Sequence, residues 1–191
     1  MSHFSGEKAA LRTQAGTIRQ TLDFASITTA LCQRIAALPE YQSAWHVLIY
    51  LAMPDEVVIE GIIGLGASDG KQFYVPRCAP ERRLAVHTYV PGETALRPGP
   101  FGIREPDPKQ VSEADPNVLD LVIVPAVMLS EQGDRLGYGG GYYDRFLPKL
   151  RPSSIRIGAL PDALVSPTLP RDPWDVPLNL IVTEQQILHI Q

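Results

Sequence analysis

The sequence predicts an α/β fold, a three-layer sandwich in which helices cover both faces of a mostly parallel central sheet. Three observations predict it. Short runs of β-branched and aliphatic residues alternate with stretches of helical periodicity, the pattern of strands and their covering helices. The run Leu121-Val122-Ile123-Val124 is apolar without alternation, as a strand buried on both faces must be. The chain has 191 residues, 45% hydrophobic and 20% charged, which suits one domain, residues 1–191, with a substantial core.

The elements follow in order. Residues 6–22 hold Lys8, Leu11, Arg12, Ile18, Arg19 and Leu22 without proline and read as a basic amphipathic helix. Residues 26–38 place Ile27, Leu31, Ile35 and Leu38 at helical spacing and stop before Pro39, which cannot continue the ladder. Residues 46–52 (HVLIYLA) read as a buried strand, and residues 57–65 as the next helix despite their β-branched side chains. Residues 71–76 and 84–90 read as strands, and residues 119–129 contain the most apolar one. A helix over 141–150 stops before Pro152, and residues 155–160 and 180–183 are the last strands. Two stretches resist assignment. Residues 91–117 carry six prolines and three glycines and read as a long binding loop or lid. Residues 161–177 carry five prolines and read as extended surface chain.

Composition excludes several classes. The net charge is −4 and no basic block stands out, so no nucleic-acid groove is indicated. No apolar run approaches the roughly 20 residues of a membrane span, and the N-terminus has no signal-peptide core. Cys32 and Cys78 are far apart and read as buried, reduced thiols of a cytoplasmic protein. His3, His46, His87 and His189 are scattered and build no zinc pair. The expected partners are small molecules, with neither nucleic acid nor membrane, and the expected state is a monomer.

The informative run is Arg135-Leu136-Gly137-Tyr138-Gly139-Gly140-Gly141-Tyr142-Tyr143-Asp144. A loop with so little side-chain bulk lets a ligand approach its backbone, and its N–H groups can point at phosphate oxygens. A helix after it would present its N-terminus to the same anion. The run is not a Walker A loop, because no Gly-Lys-Ser/Thr follows, and Tyr142 stands where the dinucleotide fingerprint needs its third glycine. Arg135 suits a bidentate grip on phosphate. Asp144, in the first helical turn, can face a cation. Tyr142 with Phe146 and Tyr143 with Leu147 are i, i+4 pairs, one of them expected to be core packing.

Read as Arg-Leu-Gly-x-Gly-x-Gly-Tyr-Tyr-Asp, the run resembles the signature of the 5-formyltetrahydrofolate cyclo-ligase family. Further segments match in the same order: Lys8-Ala-Ala-Leu-Arg12, Met53-Pro54-Asp55-Glu56, Phe101-Gly102-Ile103-Arg104-Glu105-Pro106, Val122-Ile123-Val124-Pro125, and Trp174-Asp175-Val176-Pro177 with Ile181-Val182-Thr183. The resemblance implies a fold similar to the glucosamine-phosphate deaminase (NagB), RpiA and CoA-transferase group. It implies ATP and Mg²⁺ as cofactors of a C–N bond-forming ligase that converts 5-formyltetrahydrofolate to 5,10-methenyltetrahydrofolate.

It also implies roles. Lys8 and Arg12 would neutralise phosphates, and Arg135 with the amides of Gly137, Tyr138, Gly139, Gly140 and Gly141 would cradle them, Arg135 and Lys8 acting on the transferred group. Tyr142, Tyr143 and Asp144 complete that nucleotide loop. Asp144 and Asp175 would hold Mg²⁺. Glu56 would bind the pterin ring, with Leu51 and Tyr142 lining the folate pocket, and Glu105, in the long loop, would face the nucleotide or close over it.

The chain departs from the pattern at Gly140, where many members have lysine, at Ser130, where an acid is common, at Val57-Val58, and near Ala163-Leu164, where a pterin-contacting glutamine is common. These departures leave open a relative with altered substrate or no catalysis. A sugar-phosphate isomerase of similar fold would need a carboxylate and histidine together, and no such pair stands out.

Overall fold

The computed structural model describes residues 5–66 and 70–190; His3 lies outside the described residues. The chain opens with α1 (Ser5–Arg19), α2 (Phe24–Ala37), α3 (Pro39–Ser43) and β1 (His46–Leu48). Next come α4 (Gly61–Gly66), β2 (Gln72–Ala79) and β3 (Arg83–Thr88), then the hairpin β4 (Leu96–Pro98) and β5 (Arg104–Pro106). β6 (Glu113–Ala114), β7 (Leu121–Val124), β8 (Met128–Ser130), β9 (Arg135–Leu136) and α5 (Tyr142–Phe146) follow. β10 (Ile155–Ala159), β11 (Val165–Ser166), β12 (Leu180–Val182) and β13 (Ile187–His189) complete the order.

Eight strands form the central sheet in the order β13-β12-β10-β7-β1-β2-β3-β6. The inner five pair in parallel, while β13, β3 and β6 pair antiparallel at the edges. Alternate strand residues point to opposite faces. Val47, Ile123 and Ile157 pack against Leu31, Ile35 and Ile62 beneath α2 and α4. Leu48, Val122, Val124 and Ile181 pack with Ala15 of α1 and Phe146 of α5. The three-layer expectation holds. Local signals start and stop the elements: the Asp23 carboxylate accepts from Ala25 and Ser26 N–H to cap α2, and Pro39 ends it.

Several expectations need correction. Residues 91–117 are not one irregular loop, because Ala95–Asp107 backbone bonding and the β4–β5 ladder fold much of the segment into a hairpin. The helix expected over 57–65 begins only at Gly61; the preceding β-branched residues form tight turns. The strand in 119–129 is broken by Pro125, and β8 joins a separate small sheet with β9 and β11. The helix expected over 141–150 is the five-residue α5 followed by a 3₁₀ turn at Leu147–Lys149, too short to offer the macrodipole expected of it. Cys32 is buried, but Cys78 is only half-buried.

Candidate functional site

β1 and β7 are neighbours, yet the chain leaves them toward opposite sides of the sheet: β1 leads to β2, and β7 leads to β10. Ligands bind at such a switch point, beyond the carboxyl ends of the strands. There the structure has a cavity of about 690 Å³ whose wall includes Tyr50 and Leu51 after β1 and Pro125 after β7. Its other walls come from α1, the end of β2, the β4–β5 hairpin, the glycine loop and residues 172–175. The size suits a small-molecule substrate.

α1 supplies cations from one face. Lys8, Arg12, Ala15 and Arg19 fall at i, i+4, i+7 and i+11, and this stripe faces the domain, with Ala15 fully buried. Lys8 Nζ sits 2.7 Å from Asp172 and 3.2 Å from Asp175. Burial alone would lower the Lys8 pKa, but its bonds to these two carboxylates outweigh burial and raise it. Arg12 Nε donates to the Gly137 carbonyl at 2.8 Å, tying α1 to the glycine loop.

The loop starts from β9, which is held against β8 in register Leu129↔Arg135. Arg135 is ion-paired with Asp144, donates to the Pro125 carbonyl at 3.2 Å, and lies over the Tyr143 ring at 5.6 Å. The glycines have steric reasons to be glycines. Gly139 and Gly141 have φ of +92° and +68°, a region that L side chains avoid. A Cβ on Gly137 would lie 2.6 Å from Arg135 Nη1, and one on Gly140 would lie 3.0 Å from the Tyr142 ring. Any side chain at position 140 therefore needs the Tyr142 ring to yield by a few tenths of an ångström. Of the two tyrosine pairs, Tyr143 turns inward with Phe146 at an edge-to-face distance of 6.2 Å, and its buried hydroxyl has no hydrogen-bond partner among the described residues.

The opposite wall is built on the turn after β1. Glu56 N–H donates to the Met53 carbonyl at 3.1 Å, and Met53 N–H donates to Glu56 Oε2 at 2.9 Å. The Tyr138 hydroxyl donates to Glu56 Oε1 at 2.7 Å, so the glycine loop touches this wall too. Glu56 is 6% exposed. Burial pushes its carboxyl pKa up, against the pull of Met53 N–H, the Tyr138 hydroxyl and the Arg19 charge. Glu105 is also buried and accepts from Cys78 N–H at 2.9 Å. Burial, and then Glu105 beside it, push the Cys78 thiol up to about 12, so it is no nucleophile at neutral pH.

Every expected site residue reaches the cavity: Lys8, Arg12, Leu51, Glu56, Arg135, Gly137 to Gly141, Tyr142, Tyr143, Asp144 and Asp175 all line it, as does Glu105. Asp144 and Asp175 are each engaged with a different cation, Arg135 and Lys8 respectively. No group of three or more His, Cys, Asp or Glu converges among the described residues. This donor set fits a Mg²⁺ ion held by one or two carboxylates and substrate phosphates, not an all-protein cage.

Sequence reasoning missed Asp172, buried beside Lys8, and Arg19, whose guanidinium donates to the Ala126 carbonyl at 2.8 Å. The spacing Lys8–Arg12–Arg19 was the available signal for Arg19, because it puts three cations on one helical face. At the departures, Ser130 is buried and bonded to Asp134, while Val57 and Leu164 belong to the core.

Comparison with known proteins agrees with this fold. The sequence profile of the 5-formyltetrahydrofolate cyclo-ligase family matches residues 5–184. A 5-formyltetrahydrofolate cyclo-ligase of Haemophilus influenzae is 30% identical over 152 residues, covering 78% of this chain and 81% of its own. A probable 5-formyltetrahydrofolate cyclo-ligase of Schizosaccharomyces pombe is 26% identical, with 85% and 86% covered. The solution structure of Aquifex aeolicus 5,10-methenyltetrahydrofolate synthetase superposes with a TM-score of 0.82 at 26% identity, covering 96% of this chain and 93% of that one.

Proposed function

The chain belongs to the 5-formyltetrahydrofolate cyclo-ligase family, and we propose that it converts 5-formyltetrahydrofolate to 5,10-methenyltetrahydrofolate with consumption of MgATP. One observation carries the reading: a cationic, glycine-lined wall and a buried carboxylate wall face one cavity, and Tyr138 bridges them. The first suits a triphosphate and the second a ring that offers N–H donors.

The chemistry explains why both are needed. A formamide oxygen is a poor leaving group. The formyl oxygen attacks the γ-phosphorus, ADP departs, and an iminium phosphate forms at N5. N10 of the same folate then attacks the formyl carbon and closes the five-membered ring, and phosphate leaves with the former formyl oxygen and takes up the proton lost from N10. Catalysis of the first step is positioning and charge stabilisation. Lys8, Arg12 and Arg135 neutralise phosphate oxygens, and the N–H groups of Gly137 to Gly141 donate to them. Glu56 accepts from the pterin ring and fixes its place, while Leu51 and Tyr142 flank it. Asp144 and Asp175 are the carboxylates that would hold Mg²⁺, which supplies charge neutralisation at the phosphates. Glu105, on β5 of the hairpin, is buried and shapes the wall. The partners are these small molecules alone, and the enzyme acts as a cytoplasmic monomer.

The test mixes purified protein with 5-formyltetrahydrofolate and MgATP and follows the methenyl chromophore. Absorbance should rise only with ATP present. A flat trace with authentic substrate would reduce the chain to a folate- or nucleotide-binding relative.

A further inference from the structure

Arg19 has no part in the chemistry above, yet it is the most deliberately buried cation near the site. It ends α1 and is only 7% exposed. Its guanidinium donates to the Asp55 carbonyl, to the Ala126 carbonyl at 2.8 Å and to the Val127 carbonyl at 3.3 Å. Those carbonyls belong to the two chain segments that leave β1 and β7 at the switch point. One side chain thus ties the Met53–Glu56 turn to the link between β7 and β8.

Two details make Arg19 more than a staple. Its Nε is buried and has no hydrogen-bond partner among the described residues, a costly state for a charged donor. A small, partly open cavity of about 10 Å³ is lined by Arg19, Tyr50 and Glu56 among others. That is room for about one water, and the lining offers it polar partners. The titratable and charged groups around Glu56 are Asp55 on its own turn, Tyr50 behind β1, Tyr138 on the glycine loop, Tyr143 on α5 and Arg19 on α1. Arg19 is the cation of that set.

We infer that Arg19 is the positioning residue of Glu56, joined to its carboxylate through one buried water and holding the turn so that Glu56 meets the substrate ring ionised and in place. The inference rests on Glu56 being the ring's acceptor. It gives α1 two jobs: its outer cations serve the nucleotide, and its last residue serves the folate.

A double-mutant cycle with Glu56→Gln tests it, read as separate KM values for folate and ATP across pH. Arg19→Gln should raise the folate KM by about tenfold, the scale of one lost hydrogen bond to a charged group, with the ATP KM unchanged. Its acid limb of folate KM should move to higher pH, because Glu56 loses its nearby positive charge. Arg19→Lys keeps that charge and should hold the limb near its wild-type position, and it carries the test if the glutamine variant does not fold. On a Glu56→Gln background neither Arg19 substitution should raise the folate KM further. Full additivity there, or equal rises in both KM values, overturns the inference and makes Arg19 a general staple. A different failure is distinguishable: if Glu56→Gln alone leaves the folate KM intact, the assignment of Glu56 falls and takes the inference with it.

Discussion

On the glycine-loop wall, Lys8 stands between Asp172 and Asp175, and Arg135 stands against Asp144. Across the cavity, the Glu56 carboxylate bonds to a peptide N–H and a phenol, with no cation in direct contact among the described residues. The first wall stores its charges as pairs that are mostly shielded from water, with side-chain exposures of 12% for Lys8, 5% for Asp172 and 8% for Arg135. On the proposed reading, phosphate oxygens take the place of the carboxylates because they restore charge-assisted bonds to the same cations, and the freed carboxylates become available to a metal. The second wall holds a desolvated acceptor in a fixed turn. On the proposed reading, one wall exchanges partners with a highly charged substrate and the other recognises a neutral ring by hydrogen bonds.

The largest expected effect is on the first wall. Arg135→Ala should cut kcat by about 10²–10³-fold, the scale for losing one stabilising donor at a developing charge, while circular dichroism shows an intact fold. Near-normal turnover would remove Arg135 from the transition state. Glu56→Gln should act on the second wall alone, raising the folate KM by about 10–100-fold, as for a lost hydrogen bond to a charged group, with the ATP KM unchanged. Parallel rises in both KM values would erase the distinction between the walls.

The pH dependence sharpens the same contrast. The Glu56 carboxyl is raised above its ordinary 4.5, so acidification protonates it early, and the folate KM should climb from a pH above 4.5 while the ATP KM stays level. The linkage sign for stability is opposite: the folded state binds this proton more tightly than the unfolded state does, so Glu56 costs stability at neutral pH and the cost fades as pH falls. Glu56→Gln should therefore not lower the melting temperature at pH 7, although it harms folate binding.

A smaller effect is expected from Gly137→Ala. Its Cβ would press on Arg135 Nη1, and the flexible guanidinium can yield, so kcat should drop by about tenfold, consistent with a misplaced clamp. The smallest concerns a residue outside those ion pairs. Arg82 adopts φ of +56° at the β2–β3 turn, and Arg82→Gly should raise the melting temperature by about 2–4 °C by removing about 1 kcal/mol of left-handed strain. A lower melting temperature would show that the turn is held by the arginine side chain.

Much of this was legible in the sequence, for physical reasons that differ by region. β7 was legible because a strand buried on both faces must be uniformly apolar, and the end of α2 because Pro39 acts within a few residues; its start at Phe24, capped by Asp23, lay two residues before the expected one. The β4–β5 hairpin was hidden because its strands are three residues long and contain Pro98 and Pro106, which reads as loop. The wall proposed for the nucleotide was readable because its glycines and Arg135 lie in one short run. The partners of those residues were not, because Lys8 and Asp172 are 164 positions apart. Arg19 looked like the polar face of an amphipathic helix, and only packing shows that this basic stripe is the inward one.

The most direct measurement of the central claim follows the formyl oxygen. 5-Formyltetrahydrofolate labelled with ¹⁸O in the formyl group is turned over with MgATP, and the released phosphate is analysed by mass spectrometry. If the two walls bring that oxygen onto the γ-phosphorus, each phosphate carries one ¹⁸O atom. Label-free phosphate, with methenyltetrahydrofolate still formed, would contradict the account.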